Sequence, residues 1–145
     1  MSHWQSGKMG LKCSLTILQR ALIKIMPEWE KHIKIDPNAG LNVRGMQGGK
    51  SGFSLVIPYG SGTGISYEDI GFKKADDGSW ETARGTYIPV KVKNLENKVS
   101  SRVAEMKSKQ NAINMGFRPT GQVEEGGKIR IRMRGPVPDR YKIRA

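Results

Sequence analysis

The spacing of apolar residues predicts a first helix near the start of the chain. Ser14 is a favourable N-cap, because its hydroxyl can accept a hydrogen bond from a free amide of the first turn. Pro27 should end the helix, since it has no amide hydrogen and clashes with the preceding turn. Between them, apolar residues recur at helical spacing, namely Leu15, Leu18, Leu22 and Ile25.

A second helix is predicted between Asn94, a candidate cap, and Gly116, which favours the left-handed conformation just past a helix end. Pro119 prevents the helix from continuing. The predicted apolar face comprises Leu95, Val99, Val103, Met106 and Ile113, whereas Lys98, Arg102, Glu105 and Lys109 are expected in water.

Strand-like segments lie before, between and after these helices. The chain ends in a predicted hairpin, in which the sequence QVEE, a Gly126-Gly127 turn and the sequence KIRIRMR follow one another. The predicted order is β-α-β-β-β-β-α-β-β, an α+β fold with an antiparallel sheet and two helices packed on one face, ferredoxin-like or related. We expect one domain over residues 1–134 and a basic, proline-containing tail over residues 135–145. The remaining strand segments are residues 2–12, 41–47, 52–59, 65–74 and 80–92.

The charge of the chain points to an anionic partner. Its 145 residues carry a formal net charge of +12, which disfavours the compact state through self-repulsion unless anions are near. No stretch combines a basic face with an aromatic-rich apolar face, and none is apolar enough to span a bilayer, so a membrane is not expected as partner. Cys13 is the only cysteine and fits a reducing compartment, and we expect the cytoplasm.

The glycine-rich stretch around Gly45, Gly49 and Lys50 superficially resembles the phosphate-binding loop of nucleotide hydrolases. Such a loop needs four residues between its two glycines, and this chain has three between Gly45 and Gly49. The loop must also lead into a helix, but the residues after Ser51 are β-branched and strand-like. We therefore predict a hairpin connection with Lys50 in solvent.

No other constellation predicts catalysis or a resident metal. The neighbouring acids at 76–77 and 124–125 lie beside glycines, as turn residues usually do. The N-terminal Met-Ser-His sequence has the spacing to chelate Cu(II) or Ni(II), but removal of the initiator methionine would destroy it. The sequence contains no evident pair of nucleophile and base. We expect a non-enzymatic protein without a cofactor or metal.

The last 18 residues carry the strongest chemical signal, with seven cations and one acid. Because successive side chains of a strand point to opposite faces, the KIRIRMR strand should present its cations on one face and its apolar residues on the other. Arginine prevails over lysine, and its fork matches phosphate oxygens bidentately. The candidate nucleic-acid-binding residues are Lys128, Arg130, Arg132, Arg134, Arg140, Lys142 and Arg144.

Three interpretations fit this cation row. It could be a solvated face paired with acids of a neighbouring strand, a surface for the phosphates of RNA, DNA or a ribonucleoprotein, or a contact for an acidic protein. Only Tyr141 lies within the basic segment, so stacking on bases has little support there. No motif for reading bases is present, and binding led by shape and charge is the favoured interpretation.

Four short motifs occur in a recognisable order: MSHW at 1–4, VRG at 43–45, DIGF at 69–72 and NMGF at 114–117. Together with the closing EEGGKIRIRMR hairpin, they resemble the hypothetical chloroplast reading frame thirty-five family of plastids and cyanobacteria. The resemblance covers roughly residues 1–134 and implies a small, compact α+β protein. It also implies that the gene occasionally lies near genes for AAA+ ATPases and ferredoxin-like proteins, and hence an accessory or adaptor role. For an organellar member, the resemblance implies the stroma of a plastid.

Overall fold

A computed structural model of the chain describes residues 4–45, 48–125 and 128–134. The chain divides into two compact units, Met1–Ser100 and Ser101–Ala145. The division into a domain of residues 1–134 and a tail of residues 135–145 stays a prediction.

The described residues form two α-helices and nine strands, which confirms the α+β class. Two short 3-10 turns, Pro27–Trp29 and Val90–Val92, accompany them. In chain order the elements are β1 (Gln5–Lys8), α1 (Leu15–Ile25), β2 (Lys34–Ile35), β3 (Leu41–Val43), β4 (Lys50–Phe53), β5 (Leu55–Ile57), β6 (Ile70–Lys74), β7 (Trp80–Arg84), α2 (Leu95–Asn114), β8 (Arg118–Glu125) and β9 (Lys128–Arg134).

Helix α1 begins and ends where its sequence predicts. The Ser14 hydroxyl accepts a hydrogen bond from the amide of Ile17 at 3.2 Å, and this satisfies one free donor of the first turn. The helix ends at Ile25, and Pro27 opens a 3-10 turn instead of continuing it. Leu18 and Leu22 are fully buried, so the predicted apolar stripe is the packed face of the helix.

The main sheet of the first unit has five strands in the order β1-β7-β6-β5-β2, and all of its pairings are antiparallel. It therefore lacks the parallel pair of a ferredoxin-like split βαβ unit. Six strands, rather than the predicted four, separate the two helices. The sequence pattern missed the short β2, and the segment predicted as one strand over 52–59 divides at Ser54 into β4 and β5.

The two faces of this sheet bury different partners. The register aligns Val56, Gly71 and Ala83 across β5, β6 and β7, and alternation places their neighbours Leu55, Phe72 and Thr82 on the other face. Val56 and Ala83 form a buried cluster with two residues of the β3–β4 hairpin, Val43 and Phe53, so this hairpin covers the first face.

The hairpin approaches the sheet most closely over Gly71. A Cβ at this position would lie 2.6 Å from Phe53 Cδ1 and 2.6 Å from Val43 Cγ1, closer than side-chain atoms approach one another. Val43 and Phe53 therefore fill the space that a side chain at position 71 would occupy.

The opposite face of the sheet holds the first turn of α2. A carboxylate oxygen of Glu96 accepts hydrogen bonds from the Thr82 hydroxyl at 3.0 Å and from Arg84 Nε at 2.8 Å. Burial on its own would raise the pKa of Glu96, but the hydrogen bonds from Arg84 and Thr82 outweigh it, so that this pKa lies below its usual value. The pair thus fixes the start of α2 to strand β7.

The predicted apolar face of α2 is buried only in its first half. Leu95, Val99 and Val103 are fully buried, whereas Ile113 is 50% exposed. The expectation that Glu105 lies in water is wrong, since only 3% of its surface is exposed. Ion pairs with Arg102 and Lys109, each at 2.9 Å, compensate the burial of its carboxylate. Helical spacing of three and four residues brings these cations to it.

Helix α2 ends as predicted, at a left-handed glycine. Gly116 has φ 90°, its amide donates to the carbonyl of Ile113, and the amide of Phe117 donates to that of Ala112. These two bonds define a Schellman motif. Asn94 also has positive φ, at 58°, which is not the extended conformation of an N-cap residue.

We expect Gly71→Ala to destabilise the first unit by about 1–3 kcal/mol, because the added methyl group overpacks the contact with Val43 and Phe53. Chemical denaturation at neutral pH measures the change. Ser61→Ala, at an exposed loop position, is the control and should stay within about 0.5 kcal/mol of wild type. Equal stability of the two variants would contradict the close packing at Gly71.

Acid should weaken the anchor of α2. Because the pKa of Glu96 is lower in the folded protein, the unfolded chain binds the proton more readily, and stability is lost as pH falls below about 4.5 through the folded value. We expect Glu96→Gln to be less stable than wild type at pH 7 and to lose less stability on acidification. Urea titrations at pH 7, 5, 4 and 3 test this, and parallel curves for the two proteins would contradict it.

Candidate nucleic-acid interface

The basic segment KIRIRMR forms strand β9, as predicted, and pairs antiparallel with β8. Glu125 stands opposite Lys128 at one end of the hairpin and Arg118 stands opposite Arg134 at the other. The predicted turn residues 126–127 lie outside the described residues. The hairpin itself is confirmed.

The pairing register decides which residues accompany the cation row. Residues directly opposite one another in an antiparallel pair share a face of the ribbon. In this register only one acid, Glu125, lies opposite a cation of the row, and Arg118 adds a fifth cation to the same face. The facing pairs are Lys128 with Glu125, Arg130 with Val123, Arg132 with Gly121 and Arg134 with Arg118.

The apolar positions of β9 meet a mixed set of partners. Ile129 stands opposite Glu124, and Ile131 stands opposite Gln122. Met133 stands opposite Pro119, where a register shift between Pro119 and Gly121 leaves one extra residue in β8. The cationic face therefore carries mainly cations, whereas the opposite face mixes apolar residues with polar and charged ones.

Three of the seven candidate residues, Arg140, Lys142 and Arg144, lie outside the described residues. The other four share one face by backbone register alone. That all seven bind nucleic acid stays a prediction.

The glycine-rich loop is a hairpin connection, as predicted, between β3 and β4. Gly48 has φ 96°, and its amide donates to the carbonyl of Gly45 at 3.2 Å. Lys50 and Ser51 already belong to strand β4, so the loop leads into a strand and not into a helix. Lys50 is exposed, with its Nζ 5.6 Å from the centre of the Trp4 ring.

A buried carboxylate, that of Asp69, joins three segments of the first unit. Its oxygens accept hydrogen bonds from the amides of Arg44 and Tyr59, each at 2.8 Å. The Arg44 guanidinium also donates to both oxygens, at 3.1 and 3.2 Å, and lies 4.5 Å from the centre of the Tyr59 ring. This hydrogen bonding to Asp69 raises the pKa of Arg44 above its ordinary value.

These contacts give a structural role to the motifs that carry the family resemblance. Arg44 of VRG bonds to Asp69 of DIGF, and Gly71 of DIGF lies beneath Val43 of VRG. Gly45 packs closely against the ring of Trp4, the last residue of MSHW. The fourth motif, NMGF, forms the Schellman end of α2. Each of the four motifs therefore contributes at least one described residue to packing or capping in this chain.

The sequence analysis missed a group of exposed tyrosines. Tyr59, Tyr67 and Tyr87 are 39%, 50% and 44% exposed, and the rings of Tyr67 and Tyr87 meet edge to face with centroids 5.0 Å apart. These tyrosines lie in the loops over 58–67 and 85–89, far from the basic C-terminal segment. Tyr59 lies between Pro58 and Gly60, which marks it as a loop residue, but no local pattern brings Tyr67 and Tyr87 together.

Within the described ranges, no group of three or more His, Cys, Asp or Glu side chains is arranged to hold a metal ion. In the same residues, no helix has the length and apolar character needed to cross a membrane.

Comparison with protein-family models, curated proteins and solved structures finds no match to this chain. The resemblance to the plastid and cyanobacterial family thus rests on its short motifs and stays a prediction.

We expect Asp69→Asn to destabilise the protein by about 3 kcal/mol, because an amide cannot satisfy both backbone donors and the guanidinium in a site that is 2% exposed. Arg44→Ala should cost less, about 1 kcal/mol, since Arg44 is 59% exposed and Asp69 keeps two amide donors. Denaturation of both variants at pH 7 measures the order. A larger loss for Arg44→Ala would contradict it.

Proposed function

We propose that this protein is a non-enzymatic binder of nucleic acid that contacts phosphate groups through the cationic face of the β8–β9 hairpin. The observation that carries the proposal is the register, which gathers five cations and one acid on one face of a two-stranded ribbon. An ordinary solvated strand face would be expected to place acids opposite its cations. Here Lys128 alone has such a partner.

The spacing of these cations suits a polyanion. Same-face neighbours along a strand are about 6.5–7 Å apart, less than the Debye length of about 8 Å in physiological salt, so the charges repel one another unless anions neutralise them. The second unit as a whole holds 11 cations and 4 acids. Binding to phosphates would release the counterions condensed on the nucleic acid, which is the main source of sequence-independent affinity.

The residue types favour phosphate over base recognition. Arginine supplies four of the five cations on this face, and its planar fork matches two phosphate oxygens. A two-stranded ribbon is also narrow enough to enter the major groove of B-DNA. We infer a preference led by shape and charge, with little discrimination among sequences.

We expect the triple variant Arg130→Gln, Arg132→Gln, Arg134→Gln to bind a labelled 16-base-pair duplex more weakly than wild type. Its plot of log K against log salt should be flatter by about 0.9 for each lost phosphate contact on B-DNA. Fluorescence anisotropy between 50 and 300 mM salt measures both quantities.

A matched control removes the same charge elsewhere. Lys24, Lys31 and Lys34 are exposed cations of the first unit, and their triple change to Gln lowers the net charge by the same three units. The control should keep the wild-type slope. Equal effects of the two triple variants would show that only net charge matters, and an unchanged arginine variant would rule the hairpin out as the site. Failure of wild type to bind any duplex, with retention of an acidic protein after nuclease treatment, would favour the adaptor interpretation instead.

A further inference from the structure

A strained backbone holds Tyr67 at the surface of the first unit. Its φ is 73°, and the amide of Glu68 donates to the carbonyl of Ser66 at 2.9 Å across it. A three-residue turn closed by this hydrogen bond with positive φ at its centre is the rare form of the γ-turn. A bulky side chain seldom occupies that region, and such strain concentrates at sites that bind ligands.

The buried neighbours of Tyr67 explain how this turn is maintained. Glu68 and Asp69 are 1% and 2% exposed, and Glu68 packs against Gly45 and Gly85, where a Cβ would collide with its side chain. The hydrogen bonds of Asp69 fix the chain immediately after the turn. The packing of Glu68 and Asp69 therefore supports the turn, while half of the surface of Tyr67 is exposed to water.

Tyr67 is one of two exposed tyrosines whose rings are in contact. Its ring meets the ring of Tyr87 edge to face, and the amide of Ser66 donates to the carbonyl of Tyr87 at 3.0 Å, so the two loops are joined by backbone as well. The backbone amide of Tyr59 donates to Asp69, two residues after Tyr67, and the Tyr59 ring stacks on Arg44. We call Tyr59, Tyr67 and Tyr87 the tyrosine surface.

Exposed cations accompany the tyrosine surface. Glu68 and Asp69, the acids that follow Tyr67 in the chain, are buried. Arg44 stacks on Tyr59, and the exposed Lys91 and Lys93 follow Tyr87 in the chain. Residues 58–67 and 86–95 contain no acid at all. The surface therefore complements an anionic partner that has flat, apolar faces.

We propose that the tyrosine surface binds unpaired bases of single-stranded nucleic acid by stacking. Aromatic side chains next to cations are the combination that single-strand binders use, because every base offers a π-face and every phosphate a charge. This inference rests on the proposed function, since it supplies a second type of contact for the same class of ligand. Paired bases within a duplex are stacked already and cannot use the surface.

The test uses the double variant Tyr67→Gly, Tyr87→Ser in the full chain. Glycine accepts positive φ, so the strained turn is kept without its ring and the melting temperature should stay within about 4 °C of wild type. Affinity for a labelled 12-nucleotide poly-dT or poly-U strand should fall about five- to hundredfold, the range for loss of a stacked base. Affinity for a 16-base-pair duplex should not change.

The double variant Tyr67→Phe, Tyr87→Phe is the matched control, because it retains both rings, and it should bind the single strand within about twofold of wild type. Wild-type affinity of the Gly/Ser variant for the single strand would overturn the inference, while the arginine triple variant would still report on the hairpin. Equal loss of duplex and single-strand binding in the Gly/Ser variant would also overturn it, since stacking would not explain the duplex effect. If neither nucleic acid binds to wild type, both proposals fail.

Discussion

The fit of the β3–β4 hairpin against the main sheet is the contact on which the first unit depends. Gly71 gives the room into which Val43 and Phe53 pack, and Asp69, two residues earlier in the chain, receives the amide and guanidinium of Arg44. Apolar contact and buried hydrogen bonding thus act within a few residues of each other. Since Asp69 also binds the amide of Tyr59, the loop that carries the tyrosine surface is fixed by the same carboxylate.

Local rules were enough to predict the features that depend on neighbouring residues. The cap at Ser14, the end of α1 before Pro27, the Gly116 helix end and the alternation in β9 all follow from short stretches of sequence. Features that depend on distant residues were not predictable. The division of one predicted strand at Ser54 is of this kind, because β4 pairs with β3 whereas β5 pairs with β2 and β6.

The sequence predicted the strand that carries the candidate site, but not all of the residues that accompany it. Alternation placed Lys128, Arg130, Arg132 and Arg134 together, but only the register with β8 reveals that a single acid faces them. The tyrosine surface was not predicted, because Tyr67 and Tyr87 are 20 residues apart in sequence and their rings meet only in the folded loops. Charge runs are visible in a sequence, whereas aromatic clusters assembled by loops are not.

The β8–β9 ribbon has a consequence for self-association. Among the described strands, β8 and β9 pair only with each other, so each has an outer edge of the type that can recruit a strand from another copy. Proline, a bulge and like charges are the features that natural proteins use to prevent such recruitment. Pro119, the irregularity beside it and the arginine-rich β9 supply all three, so the ribbon carries the features that disfavour edge-to-edge pairing of copies.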